Sequence, residues 1–438
     1  MIKVVKFGGS SVAKGEAFER VKKIVDSDPS RAVVVVSAPG KRYSGDTKVT
    51  DLLYVLQAHI KYNAPYEEVL EKVKERYEDI KKYCGLKIDL DYEFNEIRSK
   101  LNKKTGVDYI VSRGEYLSAK LMAEYLGYEF IDSATCLFFD YNGKVKLKET
   151  YEAIAEAVSK NKKVVISGFY GSDPSGEVKT FSRGGSDITG SIAAAAIGAE
   201  SYENWTDVSG IMSADPRIVD NPTPIENVTF AELRELSYMG AEVLHEDAVF
   251  PVRDKNIPLY IKNTNDIDAK GTLVMESFDE GEANKKEHFI TGISGKKDFT
   301  VLTFIKNGMT EDVSFMEQVL SSFKSFSISV ELVSSSIDTF SVTVATGEVK
   351  DRMHELITKI DETACPNSVK IESGVSLIAV VGRKLAFNIG IAGKIFTSLG
   401  ENGINIKMLE QGSDELSIII GVSDADYKKA IKVLYALI

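Results

Sequence analysis

The last third of the chain contains an internal repeat, and this repeat limits its fold more than any other feature. A shift of 76 positions places Asp338 on Asp414 and, without a gap, apolar residues on apolar residues. Each copy reads strand, helix, strand, strand, helix, with alternating apolar positions in the strands. The sequence therefore predicts two copies of a small βαββαβ-like module. The matched positions include Ile328, Val330 and Leu332 on Ile404, Ile406 and Met408, and Phe340, Val342 and Val344 on Leu416, Ile418 and Ile420.

The first 280 or so residues alternate short apolar runs with helical patterns. Residues 32–36 and 163–166 are apolar enough to be strands covered on both faces, and Phe18, Val21 and Ile24 form one helix stripe between the first two strands. Such alternation is typical of α/β proteins. We expect an open, largely parallel sheet sandwiched by helices.

Changes in composition suggest the domain bounds. The first domain is expected over 1–280, with a solvent-exposed helical insertion at about 64–105, where charges of both signs alternate. The polar segment 281–297 is the best linker. The two modules follow at 298–370 and 371–438, and the last strand of the second could complete the first. Within the first domain, Thr229 and Glu232 form a capping box that opens a helix toward Leu244.

Composition excludes several classes of protein. A net charge of −11 argues against nucleic acid as the main partner. The apolar runs are too short to span a bilayer, and no signal-peptide pattern opens the chain, so we expect a cytoplasmic protein without a membrane partner. Three widely spaced cysteines and four scattered histidines fit neither a disulfide framework nor a metal site.

A glycine-rich loop follows the first apolar strand as Lys6-Phe7-Gly8-Gly9-Ser10-Ser11. Adjacent glycines let backbone N–H groups approach a ligand, and a lysine and two hydroxyls stand beside them. This chemistry suits a polyphosphate, although the sequence has no G-x-x-x-x-G-K-[ST] loop. The alternative is an ordinary Gly-Gly turn with a surface lysine.

Four further motifs carry polar or charged residues at the ends of predicted elements. The segment 37–40 ends a buried strand, and 112–115 (Ser-Arg-Gly-Glu) follows a short predicted strand at 109–111. A second double-glycine loop, 182–187, opens an Ala-rich helix, whose N-terminus favours anions. The fourth motif, 205–211 (Trp-Thr-Asp-Val-Ser-Gly-Ile), precedes Asp-Pro-Arg at 215–217. Taken singly, these motifs could also be surface ion pairs and turns.

Together, and in this order, the motifs resemble those of the amino acid kinase family, most closely its aspartokinases, over essentially the whole chain. The repeat is similar to the paired ACT domains through which an end-product amino acid regulates such enzymes. The resemblance implies phosphorylation of the side-chain carboxylate of L-aspartate by ATP, the first step of lysine, threonine and methionine biosynthesis. It implies Mg²⁺ carried by the ATP and no metal site in the protein. A carboxylate nucleophile is already ionised at neutral pH, so no general base is needed.

The resemblance also implies roles for single residues. Lys6 would neutralise the transferring phosphoryl group, and Asp187 would orient Lys6. Glu115 would pair with the substrate ammonium and Arg183 with a substrate carboxylate, in a pocket completed by Ser37 and Thr50. The residues that would bind ATP are Lys6, Phe7, Gly8, Gly9, Ser10, Thr206, Asp207, Met212 and Arg217.

Two positions depart from the family pattern. Many members have a lysine that contacts phosphate where this chain has Glu242, which reverses the charge. Either another cation such as Lys262 replaces it, or the nucleotide sits differently. Met212 stands where a tyrosine is common.

The first repeat resembles the effector site of lysine-sensitive aspartokinases, with Glu331 as the carboxylate for a lysine ammonium. The resemblance does not decide between lysine, threonine or both as the inhibitor. Self-association through the modules, as a dimer or a dimer of dimers, is expected. The alternatives are a glutamate-type carboxylate kinase and a non-catalytic ACT sensor of amino acids. The residues implied at the effector site are Met309, Ser329, Val330, Glu331 and Ser336.

Overall fold

A computed structural model of the 438-residue chain describes residues 1–182, 184–241, 244, 248–278, 289–309, 313–383, 385, 388–412 and 416–438. The chain divides into two compact units. The first comprises 1–211, 224–233 and 242–282, and the second comprises 212–223, 234–241 and 283–438.

An eight-stranded, largely parallel sheet forms the centre of the first unit. Its strand order is β3-β4-β2-β1-β7-β9-β10-β8, and the pair β9–β10 is antiparallel. Strands β5 and β6 form a separate hairpin. The predicted parallel α/β sheet is confirmed. The strands are β1 Lys3–Phe7, β2 Arg31–Val36, β3 Glu129–Ile131, β4 Val164–Ser167, β5 Tyr170–Ser172, β6 Val178–Thr180, β7 Ser201–Thr206, β8 Asn227–Thr229, β9 Leu259–Asn263 and β10 Thr272–Met275.

Helices connect these strands. The capping box that opens α8 is confirmed, because the Thr229 amide donates to Glu232 Oε2 at 2.8 Å and the Glu232 amide donates to Thr229 Oγ1 at 3.2 Å. This helix ends at Tyr238, short of Leu244. The helices are α1 Gly15–Asp26, α2 Val49–Lys61, α3 Glu67–Cys84, α4 Leu90–Lys100, α5 Val107–Leu126, α6 Leu147–Asn161, α7 Gly185–Ile197, α8 Phe230–Tyr238 and α9 Phe250–Asp254.

Two local predictions were wrong. Residues 109–111 were predicted as a strand from their β-branched and aromatic side chains, but they lie in the first turn of the 20-residue helix α5. The insertion at 64–105 is helical as predicted, yet it is not simply a solvated surface. Leu70 and Tyr77 of α3 are almost fully buried and belong to the same apolar core as Val5 of β1.

A single six-stranded antiparallel sheet runs through the second unit in the order β12-β13-β11-β14-β16-β15. Two strand pairs reproduce the repeat to the residue: 292–305 with 368–381, and 332–335 with 408–411. The third pair, 339–345 with 417–423, is offset by 78 positions and not by 76, so the predicted match of Phe340, Val342 and Val344 to Leu416, Ile418 and Ile420 is wrong by two residues. Strand β11 begins at Gly292, inside the segment expected to be a linker. The strands are β11 Gly292–Ile305, β12 Leu332–Ser335, β13 Thr339–Ala345, β14 Ser368–Val381, β15 Met408–Gln411 and β16 Ser417–Ser423.

The helices of the second unit pack their apolar residues into two cores, one for each module. Two pieces that chain order places in the expected first domain, 212–223 and 234–241, belong to this unit. For the first piece the cause is apolar packing, because Ala214, Ile218 and Val219 are buried in the core of the second module. The helices are α10 Ser314–Ser325, α11 Thr346–Val349, α12 Met353–Ala364, α13 Ile391–Glu401 and α14 Tyr427–Tyr435.

None of the helices in the described ranges is long and apolar enough to cross a membrane.

Candidate active site

Three neighbouring parallel strands end together at one edge of the first sheet. Phe7 at the end of β1 is in register with Val36 at the end of β2 and with Trp205 near the end of β7. The loops that follow these strands are those of the motifs beginning at Gly8, Ser37 and Thr206. Ligands of open α/β sheets bind outside the carboxyl ends of the strands, so this edge is the candidate site.

Lys6 is the charged centre of this edge. Its side chain is only 8% exposed, and its Nζ lies 2.5 Å from Asp187 Oδ1. Asn204 on β7 donates from Nδ2 to the same Asp187 oxygen at 2.9 Å, and Lys6 Nζ lies 3.5 Å from Asn204 Oδ1. The ammonium is therefore fixed by two partners from different elements, as the resemblance implied for the pair Lys6 and Asp187.

The second double-glycine loop brings Asp187 to this place. Gly184 adopts the left-handed conformation (φ 59°) before α7 begins at Gly185, so Asp187 lies in the first turn of the helix. A carboxylate there is stabilised by the helix dipole. Gly185 has no room for a side chain, because a Cβ atom would lie 2.7 Å from the Phe169 ring. The helix N-terminus thus packs directly against the chain after β4.

The glycines of the first loop allow close approach of two backbones. Gly40 donates its amide hydrogen to the Gly9 carbonyl at 2.8 Å, and Gly8 donates to the Trp205 carbonyl at 3.1 Å. Ser10 is exposed beside them, whereas the Phe7 ring is buried against Trp205. Phe7 could therefore contact a bound nucleotide through its backbone alone.

Glu115 is buried beside the loop after β2. It lies on α5 one residue after Gly114, where a Cβ atom would come within 2.7 Å of Ala38 Cβ. Burial raises the pKa of Glu115 to about 8, although a hydrogen bond from the Ala38 backbone opposes the shift. Its Oε2 atom is buried without a hydrogen-bond partner. A buried oxygen without a partner is consistent with a carboxylate that binds a cationic group of a ligand.

The segment between β2 and α2 carries the two other predicted pocket residues. Ser37 is half-buried and donates its amide hydrogen to the Phe7 carbonyl at 3.1 Å, and Thr50 is half-buried in the first turn of α2. The Val49 amide donates to the Pro39 carbonyl at 3.1 Å, which closes this segment on itself.

Arg76, which the sequence analysis did not select, supports this segment from the helical insertion. Its guanidinium donates to the Gly40 carbonyl at 2.6 Å and the Thr47 carbonyl at 2.9 Å, and forms an ion pair with Asp46 at 3.1 Å. A hydrogen bond from Arg42 is the main reason why the pKa of Asp46 is well below its usual range. In the sequence Arg76 is one of many charged residues on an amphipathic helix, so no local signal marked it.

The sequence analysis also did not select Asn204, although the sequence contains a signal for it. It is a polar residue in the middle of a buried strand, where an unpaired amide would be costly. A buried polar side chain of this kind indicates a specific partner, here Asp187.

The predicted nucleotide residues separate into two groups. Thr206 and Asp207 stand at the end of β7, where Thr206 Oγ1 donates to Asp207 Oδ1 at 3.2 Å. Met212 and Arg217 belong to the second unit, and Arg217 forms an ion pair with Asp215 at 2.9 Å. Arg183 and Glu242 lie outside the described residues.

Lys262 does not lie beside Lys6. It is in register with Trp205 and its Nζ lies 5.2 Å from the centre of that ring, whereas Lys6 is in register with Asn204. Because successive strand residues face opposite sides of a sheet, Lys6 and Lys262 face opposite sides of this one. Whether Lys262 replaces a lysine at position 242 stays a prediction, because position 242 lies outside the described residues.

Of the predicted effector residues, three are consecutive, just before β12. The Ser329 amide donates to Glu348 Oε2 at 2.6 Å, and the Glu331 amide donates to the Thr343 carbonyl at 2.9 Å. Glu331 Oε2 is buried without a hydrogen-bond partner. Met309 is fully buried in the core of the first module, and the exposed Ser336 lies in the turn between β12 and β13.

No three His, Cys, Asp or Glu side chains converge as a metal site within the described part of the chain.

Two family models match the chain. The model of the amino acid kinase family matches residues 1–263, and an ACT domain model matches residues 378–437. Among curated proteins, aspartokinase 3 of Bacillus subtilis is 36% identical over 449 residues, covering 99% of this chain and 98% of that protein.

Solved structures agree with these matches over the full length. The aspartate kinase of Clostridium acetobutylicum is 43% identical with a TM-score of 0.89, covering 100% of this chain and 99% of that one. Aspartokinase III of E. coli, solved with aspartate and ADP in the R-state, is 26% identical with a TM-score of 0.79, and all of both chains is covered. The same enzyme with lysine and aspartate in the T-state gives a TM-score of 0.76 at 26% identity, with 99% of both chains covered.

Proposed function

The chain belongs to the amino acid kinase family, among its aspartokinases with a regulatory ACT region, and from this premise we propose that it transfers the γ-phosphoryl group of ATP to the side-chain carboxylate of L-aspartate. A carboxylate oxygen attacks the γ-phosphorus, the bond from phosphorus to the ADP oxygen breaks, and 4-phospho-L-aspartate and ADP leave.

The observation that carries the proposal is the buried ion pair of Lys6 and Asp187 at the carboxyl edge of the sheet, 2.5 Å apart. Phosphoryl transfer depends on positioning and on neutralising charge more than on covalent chemistry. An ammonium fixed by Asp187 and Asn204 has no freedom to reorganise when negative charge develops beside it. Lys6 would stabilise the transferring phosphoryl group.

The nucleotide would be bound by backbone groups of the first loop and by residues after β7. Gly8, Gly9 and Ser10 stand beside Lys6, and close backbone packing makes any side chain at Gly9 tight, since a Cβ atom would lie 3.0 Å from the Ala38 carbonyl oxygen. Thr206 and Asp207 would contact the nucleoside. Mg²⁺ would arrive with the ATP phosphates and neutralise part of their charge.

Glu115 supports an amino acid as the acceptor. A buried carboxylate with one unpartnered oxygen is costly in the free protein, and a substrate ammonium would satisfy it. Ser37 and Thr50 would complete the pocket from the loop after β2 and the start of α2. Arg183, by family correspondence, would bind a substrate carboxylate in bidentate fashion.

The proposed reaction can be tested by trapping the acyl phosphate with hydroxylamine in the presence of ATP and Mg²⁺. We expect hydroxamate from L-aspartate and little from L-glutamate. Hydroxamate from glutamate alone would replace the proposal with a glutamate-type kinase. No hydroxamate from either amino acid, in folded protein, would support a non-catalytic sensor.

The ACT region is proposed to bind an end-product amino acid, with lysine as the first candidate. Support comes from the E. coli enzyme, whose T-state structure contains lysine, and from the buried, unpartnered oxygen of Glu331. That oxygen could accept a hydrogen bond from an ε-ammonium group. Threonine is the alternative, and both are tested by adding each to the trapping assay.

Self-association and cell location complete the proposal. Strands β12 and β15 are the two edges of the regulatory sheet, and such edges offer unpaired backbone groups to another copy of the chain. A dimer or a dimer of dimers in the cytoplasm, acting in lysine and threonine biosynthesis, is the arrangement we propose.

A further inference from the structure

An open cavity of about 720 Å³ lies entirely within the second unit. Its walls are formed by α13, α14 and the segment around residue 217. Of its ten lining residues, four are cationic and none is acidic, and one of the four cations, Arg217, is already paired with Asp215 at 2.9 Å. The ten residues are Arg217, Ile218, Ser398, Asn402, Lys428, Lys429, Lys432, Val433, Ala436 and Leu437.

The positive charge is unusual for this chain, whose net charge is −11. Lys428 and Lys432 are separated by one turn of α14, so their charges repel each other. Lys428 and Lys429 also lie in the first turn of α14, where the helix dipole disfavours cations. Lys432 lies in the last turn, where the dipole favours a cation, so local helix energetics account for Lys432 but not for Lys428 and Lys429.

Little in the protein neutralises these lysines. The Lys429 ammonium donates to the Asn402 carbonyl at 2.5 Å, which ties α14 to the end of α13. Within the described ranges, no salt bridge joins Lys428 or Lys432 to a carboxylate. Both side chains are exposed and can turn toward an anion in the cavity.

The other lining residues suggest the rest of the ligand. Ser398 and Asn402 lie one turn apart. Ser398 adds a hydroxyl group to the cationic wall, whereas the Asn402 side-chain amide donates to the Ser398 carbonyl at 2.9 Å. Ile218, Val433 and Leu437 add apolar surface against which a flat ring could pack. A volume of about 720 Å³ suits a ligand of nucleotide size.

We propose that this cavity is a binding site for a small molecule that carries two or more phosphate groups, of the nucleoside di- or triphosphate class. The lysines contact the phosphates as point charges and the apolar residues contact the base. The site lies in the regulatory unit and does not depend on the proposed kinase reaction. It includes Arg217, which the family resemblance assigns to ATP, so the test below leaves Arg217 unchanged and removes only lysines of α14. It differs from the proposed amino-acid site at Glu331, which belongs to the first module.

The test is the number of inorganic triphosphate ions bound per chain, measured by calorimetry on the full-length protein and on the variant Lys428→Ala/Lys432→Ala. The matched control is Lys350→Ala/Lys359→Ala, which removes two exposed lysines of the same unit outside the cavity. We expect the cavity variant to bind one ion fewer than the wild type, or that ion at least about tenfold more weakly, and the control to match the wild type.

The comparison separates this site from the proposed active site. If the cavity and the active site both bind triphosphate, the number of ions bound per chain falls from two in the wild type to one in the cavity variant. If the active site does not bind the ion, that number falls from one to zero. Equal counts and affinities in the wild type and the cavity variant, both folded by circular dichroism, would overturn the proposal. An equal loss in the control would also overturn it, because the effect would then come from net charge alone. A companion titration with ADP tests the contribution of the base, which should increase affinity at the cavity over that of inorganic diphosphate.

Discussion

The amide of Gly40 donates a 2.8 Å hydrogen bond to the carbonyl of Gly9, and this bond joins the loops after β1 and β2 backbone to backbone. A Cβ atom at position 40 would lie 2.7 Å from the Gly9 carbonyl carbon, closer than any real contact. The loops after β1 and β2 therefore hold each other in place. Position 40 requires glycine because of this approach, and at position 9 a side chain would be tight.

Gly40→Ala is expected to lower kcat/KM by roughly tenfold to a hundredfold, because the loop after β1 must move away from the loop after β2. Gly45→Ala is the matched control in the same loop, where a Cβ atom would meet only the Tyr43 ring at an ordinary 3.7 Å. Steady-state kinetics of both variants test this, and equal activities would show that the close approach is not required.

The rate with aspartate should depend on pH through Glu115. Its pKa is raised to about 8 by burial, so the carboxylate that binds an ammonium is scarce at pH 6 and increases toward pH 8. At saturating ATP, kcat/KM for aspartate should rise about tenfold per pH unit below pH 8 and then level off.

Glu115→Gln should have a low kcat/KM with no such rise, because the amide does not ionise. The measurement is the pH profile of both proteins between pH 6 and 9, with coupling enzymes shown not to limit the rate. A flat profile in the wild type would contradict the proposed role of Glu115.

Arg76 is expected to affect the acceptor pocket although it lies outside it. Arg76→Met removes the hydrogen bonds to the Gly40 and Thr47 carbonyls and leaves Asp46 without one of its partners. The loop should loosen and the KM for aspartate should rise by about tenfold or more. Arg98→Met on α4, whose ion pair with Glu67 is solvent-exposed, should change neither constant. A wild-type KM for aspartate in Arg76→Lys would contradict the role of the guanidinium hydrogen bonds, because a positive charge at position 76 would then be sufficient to hold the loop.

The sequence predicted much of the regulatory sheet because the two copies of the repeat show the same apolar pattern independently. The long strands 292–305 and 368–381 differ by the 76 positions that align Asp338 with Asp414, and the apolar alternation of one copy supports the other. The motifs after β1 and β2 and at the end of β7 were also placed correctly at strand ends, whereas the motif 112–115 lies within α5.

What the sequence could not predict depends on contacts between distant residues. Residues 109–111 have strand-forming side chains, but their place in α5 and its burial outweigh that preference. Arg76 and the segment 212–223 gave no local signal, because their positions result from packing against residues far away in the chain.

Regulation can be tested at Glu331. If its buried oxygen binds the ammonium of an amino-acid effector, Glu331→Ala should weaken inhibition by lysine by roughly 5- to 150-fold and leave the uninhibited rate unchanged. The control is Glu372→Ala on strand β14 of the same sheet, whose carboxylate pairs with Lys407. Inhibition curves with lysine and with threonine decide between the effectors, and an unaltered lysine curve in Glu331→Ala would reject the assignment.

The most direct test of the account is the rate of aspartate-dependent ADP formation in Lys6→Ala, compared with the wild type and with Lys72→Ala, an exposed lysine on α3. Lys6 is fixed by Asp187 and Asn204 beside the glycine loop, so its loss should lower kcat by roughly 10²–10³-fold or more in protein that remains folded. Lys72→Ala should be fully active. Wild-type turnover in Lys6→Ala would contradict the claim that this edge of the sheet is the catalytic site.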